Sequence, residues 1–317
     1  MVRRFKSCPL HYYFPFIAII LIFFPYTGKL YPPTNFGKVY GGTSFGLHMM
    51  GEDWGSRKRS RALVREISPQ FTDALASYFG TGPTDIELSR QAHSNYVAAL
   101  RKHGVDVHVL PGLPDHPDCT FVEDTGVVFG DVVVIPHMGH PSREGEQSAV
   151  KEYLAEFLTV YEMPEGATLD GGDVIFFDDK LLIGESTRTN LQGISFLQNI
   201  AESRGFDTMV FKIPNSTLHL TTVCSSPQPG LLITAEGHLT PEDFAPLVEN
   251  GVDVVWVPNE ESYAANVIGF EDGFVIVSEG YPKTKAILQE LGFTITCVDM
   301  EHIRSADGSL TCCSIFY

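Results

Sequence analysis

Two adjacent thiols near the C-terminus are the first residues of this chain that could do chemistry. Cys312 and Cys313 lie within residues 310–317, a run typical of a short apolar strand. A cysteine is a nucleophile only as a thiolate, and a neighbouring imidazole can accept the thiol proton or stabilise the thiolate as an imidazolium. Such a thiol needs a base from elsewhere in the sequence. The alternative is that both cysteines are small buried hydrophobes.

A repeat in the sequence supplies the base. Five segments place polar residues at the head of an apolar strand, and their markers are Asp124, Asp170, His219, Asn266 and Cys312, at intervals of 46, 49, 47 and 46 residues. A fixed period of this length is typical of solenoids and propellers. If equivalent strand starts face one axis, His219 lies beside Cys312 although the two are far apart in sequence.

Each of the first four units predicts two strands, a helix and a further strand. Apolar strands flank turn-forming residues at 130–131, 178–179, 225–227 and 272–273, which indicates hairpins. Amphipathic helices are predicted over 148–158, 189–202, 241–249 and 282–291, and Pro241 and Pro282 suit the first turn of a helix. One unit is therefore ββαβ.

The fifth unit ends inside its first strand, at Tyr317. Its missing pieces are predicted at the front of the domain, as a strand over 61–66, a helix over 87–103 and a strand over 105–109. Joining the two ends of the chain in one sheet closes a ring without a free sheet edge. We therefore predict an α/β fold, a closed five-bladed propeller in a single domain over residues 58–317.

Carboxylates and arginines complete the candidate site. Asp170 is the candidate orienter of His219, and Asp173 is a less certain second acid, although the Gly-Gly between them also suits a plain turn. Asp118, Glu123 and Asp124 surround Phe121. In a regular strand Asp118 and Glu123 would point to opposite faces, so they share a site only if a bulge or turn intervenes.

Paired carboxylates suit a planar guanidinium cation, whose parallel N–H groups they can accept, whereas the bland alternative is an acidic loop. Arg143 and Arg188 could hold the carboxylate of an amino-acid substrate at the far end, or could simply be solvated. No glycine-rich phosphate motif lies between a strand and a helix with the right spacing, so no nucleotide site is predicted.

Composition limits the classes of partner and compartment. The formal net charge is −17, which repels nucleic acid and anionic membranes and favours a cationic small molecule, or serves solubility alone. None of the six cysteines forms a CxxC pair, so reduced thiols are expected rather than a disulfide framework or structural zinc.

The N-terminus leaves the compartment open. Arg3, Arg4 and Lys6 precede an apolar run over 14–24, which is the layout of a signal peptide. A membrane anchor and a mis-called start codon are the alternatives. Residues 1–57 are interpreted as leader and linker, and a cytoplasmic location is favoured because an oxidising compartment suits a working thiolate poorly.

Several of these strings occur together in one known family. Asp-Cys-Thr-Phe-Val-Glu-Asp, Thr-Leu-Asp-Gly-Gly-Asp-Val, Arg-Thr-Asn, Leu-His-Leu, Ala-Ala-Asn and Leu-Thr-Cys-Cys-Ser appear in this order. Over residues 58–317 the chain resembles the eukaryotic dimethylarginine dimethylaminohydrolases. The resemblance implies the pentein fold, a five-bladed α/β propeller around a central active site, and hydrolysis of asymmetric dimethylarginine or monomethylarginine to citrulline and the methylated amine.

The resemblance also implies roles for individual residues. Cys312 would be the nucleophile, His219 the general acid and base, and Asp170 its partner. Substrate-binding positions would be Leu75 in a lid, Asp118, Phe121, Glu123 and Asp124 at the guanidinium end, and Arg143, Arg188, Ala306 and Asp307 at the amino-acid end. The family motif Pro-Ser-Arg-Arg departs at Glu144, which leaves Arg143 intact. No cofactor or metal is required, although such a thiolate could capture inhibitory zinc.

Three alternatives stay open at this stage. The related arginine deiminases and amidinotransferases use a similar set of cysteine, histidine and acid, and about two methyl groups of substrate are worth only a few kcal/mol in pocket fit. A non-catalytic member that binds a ligand or metal is the rival from another class. The expected partner is a small cationic amino acid, with no nucleic acid, and the expected state is a monomer or weak homo-oligomer.

Overall fold

The computed structural model describes residues 59–82 and 85–317. The leader and linker over residues 1–57, including the apolar run, lie outside that part, so the interpretation of this segment stays a prediction. Within the described ranges, no helix combines the length and the apolar character needed to cross a membrane.

The described chain forms five three-stranded sheets. Their strands are β1 (Arg61–Arg65), β2 (Asp106–Leu110), β3 (Val127–Phe129), β4 (Val132–Ile135), β5 (Thr159–Glu162), β6 (Val174–Phe177), β7 (Lys180–Glu185), β8 (Asp207–Lys212), β9 (Cys224–Gln228), β10 (Leu231–Ala235), β11 (Asp253–Val257), β12 (Ile268–Gly269), β13 (Phe274–Ser278), β14 (Thr294–Val298) and β15 (Ile315–Phe316). Four sheets take three consecutive strands each, and the fifth has the order β15-β1-β2.

Helices connect the second and third strands of the sheets. They are α1 (Ile86–Lys102), α2 (Gln147–Leu154), α3 (Leu191–Ser203), α5 (Pro241–Glu249) and α6 (Pro282–Glu290), and two short helices are α4 (Leu220–Val223) and α7 (Glu301–Arg304). Pro241 and Pro282 each occupy a first-turn position, as predicted. The ββαβ unit is therefore confirmed.

Each sheet pairs its first two strands antiparallel and its last two parallel. In the second sheet, Val174 pairs with Ile183 across the hairpin, and Ile183 pairs with Val210 of the parallel strand. The helix returns the chain for the parallel pair and packs on the sheet. Thus Ile194 and Leu197 of α3 are buried in one cluster with Leu181. In each blade the sheet and the helix bury apolar side chains between them. Removing this apolar area from water stabilises the blade.

The closing sheet joins the two ends of the domain. Leu63 of β1 pairs antiparallel with Ile315 of β15, and β1 pairs parallel with β2 in the register Leu63 to His108. The central strand of this sheet therefore comes from the front of the domain and its inner strand from the C-terminus. This arrangement is the predicted closure.

The marker residues do not lie in strands, which corrects the expectation. They lie in short helical turns just before the inner strands, or directly beside these turns, as Asp170, His219 and Asn266 do. The turns are Val122–Thr125, Gly171–Asp173, Leu220–Val223, Asn259–Ala265 and Thr311–Cys313. The thiols therefore belong to a turn, and only Ile315–Phe316 of the terminal segment is a strand. A turn with about three residues per revolution sends neighbouring side chains in different directions without the strict alternation of a strand.

The third hairpin was also predicted with the wrong boundaries. Residues 220–223 form α4 rather than a strand, and the first strand begins at Cys224. The hairpin turns at 229–230, where Gly230 adopts a φ of 72°, a conformation that favours glycine. Ser225 and Ser226, which were expected in the turn, lie in β9 with their side chains buried.

Candidate active site

The turns bring two of the three predicted catalytic residues, Cys312 and His219, to one cavity, and Asp170 lies behind His219. The active-site cavity has a volume of about 160 Å³ and is lined by Leu75, Ser77, Tyr78, Asp118, Phe121, Asp124, His140, Arg143, Arg188, Leu218, His219, Ala306, Asp307, Gly308 and Cys312. Pockets for drug-sized ligands typically enclose about 300–1,000 Å³, so this smaller cavity fits a small metabolite. Cys312 and His219 face the same space, as the repeat predicted.

The imidazole of His219 lies between three buried carboxylates. Nδ1 is 3.3 Å from a carboxylate oxygen of Asp173, and Nε2 is 3.7 Å from oxygens of both Asp124 and Asp170. Asp173 is held in turn by the hydroxyls of Ser186 and Thr189 at 2.5 and 2.6 Å. Asp173, the less certain acid of the sequence analysis, is therefore the carboxylate nearest the ring on the Nδ1 side.

These charges set the protonation of the ring. Burial lowers the pKa of His219, but the carboxylates of Asp173, Asp124 and Asp170 outweigh it and raise the pKa to about 9. Burial and the charge of Asp124 raise the pKa of Asp170 to about 6. At neutral pH the site therefore holds an imidazolium surrounded by anions.

Gly172 explains why two glycines separate Asp170 from Asp173. A Cβ at Gly172 would lie 2.9 Å from a carboxylate oxygen of Asp124 and 3.0 Å from Cδ2 of His219, closer than side chains tolerate. The Gly172 backbone N–H also donates to Asp124 at 2.9 Å. The Gly-Gly pair is thus required by the close approach of the site residues, beyond the needs of a plain turn.

Arg143 is fully engaged within the protein. Its Nη2 donates to Glu146 at 2.8 Å and to the carbonyl of Phe121 at 3.0 Å, its Nε donates to Glu146 at 3.1 Å, and its Nη1 donates to Asp124. Burial opposes the charge, but Glu146 and Asp124 outweigh it and raise the pKa of Arg143 further. In this structure the guanidinium fixes Asp124 and the turn that carries it.

Arg188 is the guanidinium that remains open to the cavity. Its side chain keeps 14% of its surface exposed, and Nη1 lies 3.3 Å from Asp170. Asp170 also accepts the backbone N–H of Gly139 at 2.7 Å. Arg188 therefore has N–H groups that can face a bound molecule while it stays anchored to Asp170.

The three acids predicted at the guanidinium end do not share one space. Asp118 and Asp124 line the active-site cavity, whereas Glu123 lines a second cavity on the propeller axis, together with Thr221 and Thr311. Glu123 accepts from Thr311 at 2.9 Å and from Thr221 at 3.4 Å. Burial and the charge of Asp124 raise the pKa of Glu123 to about 8. Neighbours in the turn thus face opposite cavities.

The two thiols differ in the same way. Cys312 lines the active-site cavity, and its Sγ lies 3.1 Å from the hydroxyl of Ser309. Cys313 is fully buried in the apolar core, where its thiol donates to the carbonyl of Ser309 at 3.4 Å. Burial, followed by the charges of Glu123 and Asp124, raises the pKa of Cys312 well above its ordinary value. Cys312 therefore rests as a neutral thiol.

A strap over residues 74–80 closes the cavity, and two carboxylates hold it. Asp118 accepts the backbone N–H of Leu75 at 3.1 Å. Asp307 accepts the backbone N–H groups of Ser77, Tyr78 and Gly80, with Tyr78 at 3.0 Å. The side chain of Asp307 therefore holds the strap in place, while its neighbour Ala306 lines the cavity wall.

One group of ligand atoms is compact enough to hold a metal ion. Asp124, Asp170 and His219 each offer an atom within 4.8 Å of the others. Arg143 and Arg188 already donate to these two carboxylates, and the imidazolium adds a third positive charge. The charges of the group are thus balanced by the side chains themselves.

Sequence reasoning missed four polar residues of the site. Ser309 contacts Cys312, and Ser77, Tyr78 and His140 line the cavity. Ser309 and Tyr78 carry no signal in a single sequence, because a serine beside an apolar run and a tyrosine in a loop are common. His140 stood next to the Pro-Ser-Arg string, so its position was the one available indication.

Known proteins match both the sequence and the fold. The family model described as N,N dimethylarginine dimethylhydrolase, eukaryotic, matches residues 82–316. A dimethylarginine dimethylaminohydrolase from Pseudomonas aeruginosa is 30% identical over 80% of this chain and 97% of its own, and one from Streptomyces coelicolor is 31% identical over 80% and 96%.

A solved structure extends the likeness to the fold. It is a Cys-to-Ser mutant of the Pseudomonas aeruginosa protein complexed with citrulline, with a TM-score of 0.75 and 29% identity over 81% of this chain and 99% of that one. The predicted five-bladed pentein fold is confirmed. This chain belongs to the eukaryotic dimethylarginine dimethylaminohydrolase family, a family of hydrolases.

Proposed function

We propose that the chain hydrolyses Nω-methylated arginine to citrulline and the methylated amine through a covalent intermediate on Cys312. One observation carries the proposal: Cys312 and His219 face one cavity, which also contains the carboxylates of Asp118 and Asp124 and the guanidinium of Arg188. A similar protein of known structure is complexed with citrulline, which supports the choice of product.

The charges of the cavity favour an amino acid with a cationic side chain. Asp124 stays ionised because Arg143 and His219 lower its pKa against the effect of burial, so it can accept N–H groups of a guanidinium. Arg188 is the candidate partner of the substrate carboxylate, because Arg143 already donates from each of its nitrogens. Phe121 supplies an apolar wall beside them.

Bound substrate should also activate the nucleophile. The pKa of Cys312 is raised by burial and by nearby carboxylates, so the thiol is protonated in the empty site. A guanidinium between Asp124 and the sulfur replaces repulsion with attraction and lowers the thiol pKa. The thiolate then forms where its target carbon is already bound, which limits reaction with other electrophiles.

The first chemical step forms a carbon–sulfur bond. The lone pair of the Cys312 thiolate attacks the central guanidinium carbon, and one C–N π pair moves onto nitrogen. The adduct collapses as the bond to the methylated nitrogen breaks, and the imidazolium of His219 donates its proton to that nitrogen. A neutral amine leaves, and a positively charged S-alkylthiouronium remains on Cys312.

The second step returns the enzyme to its starting state. Neutral His219 removes a proton from water as the oxygen attacks the thiouronium carbon. The carbon–sulfur bond then breaks with its electron pair on sulfur, and the remaining hydroxyl proton passes to solvent as the carbonyl forms, which gives citrulline, the thiolate and the imidazolium. Asp173 stabilises the imidazolium on the Nδ1 side in each half-reaction, because its carboxylate oxygen lies 3.3 Å away.

A substrate comparison tests this proposal. Purified enzyme is offered asymmetric dimethylarginine, monomethylarginine and arginine in parallel, and citrulline and the released amine are measured. We expect citrulline from the methylated substrates with a higher kcat/KM than from arginine. Preference for plain arginine would identify an arginine deiminase, and transfer of the amidino group to an added amine would identify an amidinotransferase. A chain that binds methylarginine without forming citrulline would be a non-catalytic member.

A further inference from the structure

The nucleophile has a hydroxyl neighbour that no motif predicted. The Ser309 Oγ lies 3.1 Å from the Cys312 Sγ, within the distance expected for a hydrogen bond to sulfur. Ser309 is only 2% exposed, so water does not compete freely for this contact. It precedes the turn Thr311–Cys313, and its backbone carbonyl accepts the thiol of Cys313 at 3.4 Å. Both the side chain and the backbone of Ser309 are therefore tied to the thiol turn.

The direction of this hydrogen bond depends on the state of the sulfur. A thiol and a hydroxyl can each donate to the other, so the neutral pair has two arrangements. A thiolate has no proton and can only accept, so the hydroxyl must then donate to it. A hydrogen bond to a charged acceptor is roughly twice as strong as one between neutral groups. The contact therefore favours the thiolate over the thiol.

The rest of the surroundings makes this donor important. The charged and titratable groups that act on Cys312 include the carboxylates of Glu123 and Asp124 and the thiol of Cys313, and both carboxylates disfavour a negative charge on sulfur. The imidazolium of His219 faces the same cavity, but it is already surrounded by three carboxylates. The hydroxyl of Ser309 is a neutral donor in direct contact with the sulfur.

We propose that Ser309 is a further catalytic residue, whose hydroxyl donates a hydrogen bond to the Cys312 thiolate and holds the sulfur on the cavity side of the turn. This inference rests on the proposed function, in which Cys312 is the nucleophile. The hydroxyl contributes at two points of the cycle, when the thiolate attacks and when it leaves the thiouronium carbon. It is not consumed in either step.

Alkylation of the sulfur tests the role without any substrate. Each protein carries Cys313→Ser, so that the C-terminal peptide contains one thiol, and the rate of iodoacetamide reaction at Cys312 is followed by mass spectrometry. Ser309→Ala removes the hydroxyl, and Ser309→Thr retains it. Ser314→Ala is the matched control, because Ser314 is buried nearby but bonds the hydroxyl of Tyr96 at 2.8 Å instead.

We expect Ser309→Ala to slow alkylation about tenfold near neutral pH, since a hydrogen bond to a charged group is worth roughly 1.5–3 kcal/mol and 1.36 kcal/mol corresponds to a factor of ten. With dimethylarginine its kcat should fall by a similar factor while KM changes little. Ser309→Thr should stay close to the parent rate, and Ser314→Ala should lower thermal stability without slowing alkylation.

Two results would overturn the inference. One is an unchanged alkylation rate in folded Ser309→Ala. The other is equal slowing by Ser314→Ala, which would indicate a general packing effect. If Ser309→Ala does not fold, Ser309→Gly also lacks the hydroxyl and takes its place. A parent enzyme that releases no citrulline but shows the alkylation contrast would contradict the proposed function and leave the role of Ser309 intact.

Discussion

At the scale of single residues, the site is a balance between a buried thiol and a buried imidazolium. Three carboxylates hold the proton on His219 and raise its pKa to about 9, while burial, Glu123 and Asp124 hold the proton on Cys312. The pair that the proposed mechanism requires, a thiolate with an imidazolium, is therefore a minor form of the empty enzyme. The protonation states of the two residues should be visible in the pH dependence of catalysis.

The pH profile of kcat/KM should have an alkaline plateau. As pH rises through the neutral range, the thiolate fraction of Cys312 increases and the rate rises. Above a pH of about 9 His219 loses the proton that the leaving amine needs, and the rate stops rising because the falling imidazolium fraction offsets the growing thiolate fraction. Because the two groups interact, the measured values belong to the pair. Steady-state kinetics over this range, with pH-stability controls, provide the check. A flat or acidic profile would contradict the assignment.

Asp173 should be as important as Asp170 for the imidazole. Asp173→Asn removes the charge 3.3 Å from Nδ1 but keeps a similar shape beside Ser186 and Thr189. A lost charge-assisted hydrogen bond corresponds to about a 10- to 100-fold lower kcat. The plateau of the profile should also begin at lower pH, because the main favourable charge on His219 is gone. An unmoved plateau would show that Asp173 is only structural.

At the scale of elements, the short helical turns decide which residues meet. They place Asp124, His219 and Cys312 in the active-site cavity and send Glu123, Thr221 and Thr311 to the axial cavity. The strap over residues 74–80 completes the enclosure through backbone N–H groups that point at Asp118 and Asp307. A carboxylate that accepts several backbone donors is a strong but local restraint.

Replacing Asp307 should release the strap over residues 74–80 and open the cavity without moving Cys312. Asp307→Asn replaces the charge that accepts from Ser77, Tyr78 and Gly80. We expect faster hydrogen exchange in the strap, by about 10-fold or more, and a higher KM, since hydrogen bonds to a charge are worth roughly 1.5–3 kcal/mol. Asp299→Asn, which affects a carboxylate that caps Glu301 at 2.9 Å, is the matched control. Equal rates of hydrogen exchange in the strap of both variants would show that Asp307 does not hold it.

The sequence predicted which residues converge, because their types and regular spacing are visible in it. It did not predict the direction in which each side chain points. The regular spacing placed Asp124, His219 and Cys312 at equivalent points of a ring, which was sufficient to predict their convergence. It did not distinguish a strand from a helical turn, so the face of Glu123 was not predictable. At position 143 the sequence showed only a basic residue, Arg143, in a predicted loop. Its partner Glu146 lies three residues away, but nothing in the sequence reveals that both are buried.

At the scale of the whole molecule, the strand that closes the ring also holds the turn that carries Cys312. The inner strand of the closing sheet follows the nucleophile directly, so the last residues hold both the blade and the thiol turn. Ile315 is buried and pairs with Leu63, while the backbone N–H of Tyr317 donates to the carbonyl of Arg61 at 3.2 Å. The C-terminal strand thus fixes the end of the segment that carries Cys312.

Removing the last three residues should destabilise the whole domain. Deletion of residues 315–317 leaves β1 without its inner neighbour and exposes core around Leu63. Losing one buried isoleucine side chain alone costs about 2–5 kcal/mol, which corresponds to a Tm lower by about 5–15 °C. Tyr317→Phe, which removes only the hydroxyl that contacts Tyr153, should change Tm little. Calorimetry that finds the deletion as stable as Tyr317→Phe would contradict closure by this strand.

The central claim is that the ring delivers Cys312, and not its neighbour, to the guanidinium carbon. Acid quenching during turnover of dimethylarginine, followed by mass spectrometry of the C-terminal peptide, measures this directly. We predict an adduct that maps to Cys312, persists in Cys313→Ser and is absent in Cys312→Ser, which should also release no citrulline. An adduct on Cys313, or full activity of Cys312→Ser, would contradict the account.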